Sequence, residues 1–81
     1  MTAHLRIKHA WRGGGPGGAP GWLIETEYNE AGVEALKRAI PNARRDWDEE
    51  RKRWWVHISW EPELLAVAPG LAVYKAQGAL L

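Results

Sequence analysis

The sequence predicts a small two-layer α+β domain: an antiparallel sheet of two hairpins packed on one main helix. The order is β-β-α-β-β-α, with a last strand possible at 71–75. Three observations carry this expectation. Apolar and polar residues alternate with period two at 4–12, 22–28 and 53–60. One helical stripe, Val33, Leu36 and Ile40, lies between the hairpins. Gly and Pro at 13–21, 41 and 69–70 punctuate the chain. Its 81 residues make a single domain, 1–81, with modest area to bury. The six Trp (Trp11, Trp22, Trp47, Trp54, Trp55 and Trp60) supply apolar bulk in a chain without Phe.

In the first strand, Leu5, Ile7, His9 and Trp11 share one face, opposite His4, Arg6, Lys8, Ala10 and Arg12. The Gly/Pro segment 13–21 reads as a flexible, poorly ordered loop. The next strand sets Trp22, Ile24, Thr26 and Tyr28 against Leu23, Glu25 and Glu27. Hairpin pairing would bring Arg6 and Lys8 to Glu25 and Glu27. A helix over 30–40 starts at an Asn29 cap, with Glu30 and Glu34 early and Lys37 and Arg38 late, as the helix dipole prefers. Pro41 stops it.

The second hairpin climbs over 43–48, turns at 49–52 and returns over 53–60. Trp54, Val56, Ile58 and Trp60 form its core row; Arg53, Trp55, His57 and Ser59 face away. A helical turn at 61–68 begins with Pro62 and ends at Pro69-Gly70, and 76–81 reads as a tail.

Composition narrows the function. The absence of Cys removes disulfides, thiolate catalysis and Cys-based zinc sites, and fits a reducing cytoplasm. No signal peptide is visible in 1–12, and no stretch is long and apolar enough for a membrane span, so the expectation is a cytoplasmic protein without a membrane partner. The net charge of +1 does not mark a nucleic-acid binder, so any basic surface has to come from how charges are distributed. The Gly run lacks the Lys-Ser/Thr of a phosphate loop and precedes a strand. His4, His9 and His57 have no ligand spacing, Ser59 stands alone as a nucleophile, and Glu61 and Glu63 flank Pro62 as a helix start would. The expectation is a non-enzymatic chain with no catalytic residues, metal or cofactor.

The dense charge and Trp of residues 44–60 remain. Arg44, Arg45, Arg51, Lys52 and Arg53 offer phosphate contacts. Trp55 and His57, on the face away from the core, offer stacking surface. Against this, Asp46, Asp48, Glu49 and Glu50 can neutralise the same basic residues. An outward Trp needs a cover, either a segment of the chain or a partner.

Three stretches carry a resemblance: Leu23-Ile24-Glu25-Thr26-Glu27-Tyr28, Glu34-Ala35-Leu36-Lys37-Arg38-Ala39-Ile40-Pro41, and Trp47-Asp48-Glu49-Glu50-Arg51-Lys52-Arg53-Trp54-Trp55-Val56. Residues 22–60 resemble the HARP (HepA-related protein) domain, which accompanies annealing helicases, and the related short domains that precede other superfamily-2 DNA helicases. The resemblance implies a compact α+β module engaging DNA, with Trp47 and Trp54 as structural aromatics and Arg51, Lys52 and Arg53 as a basic hairpin. Segment 1–21 has no counterpart in that pattern, and these residues include no helicase motor. Two functions therefore stand: a DNA-binding module using a basic-aromatic hairpin, or a protein-interaction module or homodimer using surplus Trp surface.

Overall fold

A computed structural model describes residues 4–79. Its strands are β1 (Ile7–Gly14), β2 (Pro20–Thr26), β3 (Arg45–Asp48) and β4 (Arg53–His57). Its helices are α1 (Glu30–Ala39), α2 (Glu61–Val67) and α3 (Leu71–Ala79). The sheet is four-stranded and antiparallel, in the order β1-β2-β4-β3. The β2–β4 ladder thus joins two hairpins into one sheet, the α+β arrangement expected from the alternation.

The α1 boundaries follow from local chemistry. Asn29 accepts a hydrogen bond from the Gly32 backbone N–H at 3.1 Å, closing the first turn as a side-chain cap does. Ile40 takes an extended conformation immediately before Pro41. Leu36 and Ile40 are fully buried and Val33 is half-buried, so the stripe read from the sequence faces the core.

One face of the sheet carries that core. Ala10, Trp22, Ile24, Trp54 and Val56 from the strands meet Leu36 and Ile40 from the α1 region, Leu64 from α2 and Leu71 from α3. Glu61 locks the layers together. Its carboxylate accepts from the Trp22 indole N–H at 2.9 Å and pairs with Lys75 at 2.7 Å and Arg12 at 3.7 Å. The Lys75 hydrogen bond, then that of Trp22, then the charges of Lys75 and Arg12 hold this carboxyl below the ordinary glutamate value, against the opposing effect of burial.

Four expectations are corrected. First, β1 contains an irregularity between Ile7 and His9. A one-residue slip reverses strand parity, so Ala10 enters the core while His9 and Trp11 join the opposite face. Second, segment 13–21 is not loop throughout: Gly13 and Gly14 extend β1, Pro16–Gly18 form a 3-10 turn, and Pro20 and Gly21 begin β2. Third, β4 ends at His57, and Ile58–Trp60 form a 3-10 turn whose two apolar side chains pack on the core from outside the sheet. Fourth, 71–75 is the first half of α3, not a strand, and 76–79 continue that helix rather than forming a tail; 80–81 lie outside the described residues. Tyr74 ties α3 to the β1 edge by donating its hydroxyl to the Lys8 carbonyl at 3.1 Å. Of the two pairings expected across the first hairpin, Arg6 meets Glu27 at 3.6 Å, whereas Lys8 forms no ion pair among the described residues.

Candidate nucleic-acid interface

The two faces of the sheet treat their tryptophans differently. On the outer face, β4 aligns Trp55 with Leu23 on β2 and Asp46 on β3. Trp55 has the expected parity but is only 6 % exposed. The cover is the Gly-rich turn: a Cβ at Gly15 or Gly21 would overlap the Trp55 ring. Absence of side chains at these two positions lets the backbone lie on the indole. Its N–H is buried with no hydrogen-bond partner among the described residues. The expectation that Trp55 offers a stacking surface is therefore corrected.

His57 is engaged locally. Its Nδ1 accepts from the Ser59 backbone N–H at 3.1 Å, capping the 3-10 turn, and lies 2.8 Å from Ser59 Oγ. With Nδ1 serving the backbone and no carboxylate among the described hydrogen-bond or ion-pair partners of the ring, this pair lacks the third group that orients a nucleophile–base couple. Among the described residues no three His, Asp or Glu side chains gather as metal ligands, and no helix is long and apolar enough to cross a membrane.

The hairpin tip is largely self-paired. Asp48 accepts from the Arg51 backbone and guanidinium at 3.1 and 3.2 Å, and Arg53 Nε lies 3.9 Å from the same carboxylate. Arg53 also extends over the Trp11 ring at 5.2 Å, so it bridges the outer face instead of projecting from it. Lys52 pairs with Glu49. The hydrogen bonds from Arg51 hold the Asp48 carboxyl below its ordinary value, and those from Lys52 and Trp47 do the same for Glu49. Acids therefore interleave with Arg51, Lys52 and Arg53. Arg44 and Arg45 have no ion-pair partner among the described residues.

On the helix-bearing face the geometry is open. The core on this face is built from β1, β2, β4 and the three helices, and no residue of β3 belongs to it. A cleft of about 850 Å³ lies beside β3, with Val33 and Lys37 of α1 on one side and Arg45, Trp47 and Lys52 on the other. Trp54, 7 % exposed, is part of its lining. Trp47 stands 41 % exposed with its ring centroid 5.2 Å from that of Trp54 at 49°. Tyr28, just beyond β2, is 87 % exposed at the rim. Arg45 reaches over Trp54 at 6.0 Å, and its Nε donates to the Ile40 carbonyl at 3.0 Å, which fixes the guanidinium at the end of α1. Of the expected site residues, Arg45 and Lys52 meet here; Arg51, Arg53 and Trp55 gather at the outer face around a smaller hollow.

Tyr28, Lys37 and Trp47 were not among the residues expected to bind. Alternation puts Tyr28 in the row of Trp22, Ile24 and Thr26, and the helix dipole accounts for Lys37 near the end of α1. The available signal was Trp47 on a four-residue edge strand, where little of the chain is left to cover it. Comparison with protein-family models, curated proteins and solved structures finds no match.

Proposed function

We propose that this protein is a small, non-enzymatic DNA-binding module that holds single-stranded DNA in the cleft between α1 and β3. One observation carries the reading: two exposed aromatic rings, Tyr28 and Trp47, border a groove that Lys37, Arg45 and Lys52 also line. Single-stranded nucleic acid is bound by this combination, with bases stacked on rings and phosphates met by cations. A duplex presents no free base faces to such platforms. Arg44, exposed beside Arg45, extends the cationic side. The resemblance of residues 22–60 to the HARP domain supports the choice of DNA and an association with helicases. A Cys-free chain fits a cytoplasmic setting.

A short single-stranded DNA oligonucleotide titrated against the protein at several salt concentrations tests the reading. Three to four phosphate contacts predict a slope of log affinity against log salt of about −2 to −3. Absence of binding at low salt to single-stranded, duplex and forked DNA alike overturns it. The outer face favours a second reading, a protein partner or homodimer. There Trp11 and Leu23 are half-buried side by side across β1 and β2. A stable dimer in sedimentation that protects Trp11 supports that alternative.

A further inference from the structure

We infer that the Trp47 indole N–H and the Lys52 ammonium form a phosphate subsite of the cleft, which the Glu49 carboxylate occupies while DNA is absent. This rests on the DNA-binding reading above. Glu49 Oε2 accepts from Trp47 Nε1 at 2.6 Å, and Glu49 Oε1 pairs with Lys52 Nζ. One carboxylate thus spans a neutral N–H donor and a cation, the donor pair that two oxygens of a phosphodiester would accept from. All three side chains line the cleft. Glu49 is 73 % exposed at the side chain, so it can swing away without disturbing the core.

The backbone points the same way. Lys52 is the one described non-glycine residue with positive φ, at 54°. That left-handed position suits Gly or Asn in a hairpin turn. A Lys there keeps a long cationic side chain where a cheaper residue would close the turn equally well. Backbone strain of this kind concentrates at functional sites.

Glu49 therefore acts as an internal competitor. DNA gains the two donors only after displacing it, which lowers affinity and favours ligands carrying a phosphate at the right distance from a stacked base. Glu49→Gln separates the charge from the hydrogen bond, because the amide oxygen can still accept from Trp47 while Lys52 is released. A deoxythymidine ten-mer, titrated against wild type and E49Q, provides the test. E49Q is expected to bind about three- to fivefold more tightly, the scale of one exposed charge pair. Its salt slope should match that of the wild type, because Lys52 meets the phosphate in both complexes and only the cost of displacing Glu49 differs. Wild-type binding with E49Q equal or weaker overturns the subsite and leaves the cleft reading intact. Failure of both proteins to bind at low salt overturns the cleft reading and the subsite with it.

Discussion

Trp55 and Trp47 sit on the same hairpin, eight residues apart and each beside Asp46 or Trp54 in the ladder, yet only one is available to a ligand. Trp55 lies on the face that strand alternation assigns to solvent, and it is buried. Trp47 lies on the face assigned to the core, and it is exposed. Alternation tells which face a side chain occupies; what covers that face is decided elsewhere in the chain. A turn without side chains at Gly15 and Gly21 closes over Trp55. No residue of β3 belongs to the core that the helices build, and Trp47 stays uncovered. A Trp is a binding candidate when the cover is missing, whatever its parity.

Truncating each ring is the strongest way to break this contrast. Trp55→Ala should cost about 3–5 kcal/mol, since it removes a buried aromatic and leaves a cavity. Trp47→Ala should cost only about 1 kcal/mol, the lost packing on Trp54. The order reverses in binding, where Trp47→Ala should weaken single-stranded DNA roughly tenfold or more. Urea unfolding and the oligonucleotide titration measure the two effects. Equal loss of stability in both variants would remove the distinction between cover and cleft.

The cover itself is the next target. At Gly21 a Cβ would overlap the Val56 carbonyl oxygen as well as the Trp55 ring, and the backbone atom cannot step aside. Gly21→Ala should therefore destabilise by about 2–3 kcal/mol. A substitution at Gly17, whose Cβ would meet nothing nearby but whose φ is 69°, should cost about 1 kcal/mol from conformation alone. A smaller effect at Gly21 than at Gly17 in thermal unfolding would show that the turn lies loosely on Trp55.

These contrasts also mark what could be read from residues alone. The α1 helix was legible because its cap, stripe and Pro stop agree with one another. The central strands were legible because Trp22, Ile24, Trp54 and Val56 hold their alternation across the β2–β4 ladder. The first strand misled because one irregularity after Ile7 inverts every face beyond it, and nothing in Lys8-His9-Ala10 announces an extra residue. Leu71-Ala72-Val73-Tyr74 misled for a different reason. A short apolar run fits a buried strand or a helix equally, and packing on β1 decides. Arg45 and Lys52 were identifiable as phosphate candidates from charge. Tyr28 and Lys37 were not, because their place at the cleft depends on where the fold sets α1 relative to β3.

Glu61 supplies a pH-dependent comparison between the locked side of the molecule and the open one. Its carboxyl is held below its ordinary value in the folded state. The associated stability is therefore complete above the unfolded-state glutamate pKa of about 4.3 and is lost as pH falls through the lower folded value. Glu61→Gln should cost about 1–2 kcal/mol at neutral pH, a figure kept modest because Lys75 and Arg12 remain half exposed or more. The cost should shrink as pH falls below about 4.3, leaving a shallower acid limb than wild type. A constant difference between the two proteins from pH 7 to pH 3 in urea unfolding would show that Glu61 acts through packing and not through its charge.

The smallest expected change in stability comes from Lys52. Lys52→Gly removes the strain of a side chain at φ 54°, worth about 1 kcal/mol. The greater freedom of Gly in the unfolded chain opposes this gain, as does loss of the pairing with Glu49. The net shift should stay within about 1 kcal/mol of wild type, because opposing terms of similar size nearly cancel. Binding should behave otherwise: without the ammonium the cleft loses one phosphate contact, and the salt slope should flatten by about 0.7. Lys52→Asn, which also tolerates the left-handed backbone, should behave like the Gly variant in both measurements. A large fall in thermal stability for either variant would make Lys52 part of the hairpin's architecture, and the left-handed turn would then need no ligand to explain it.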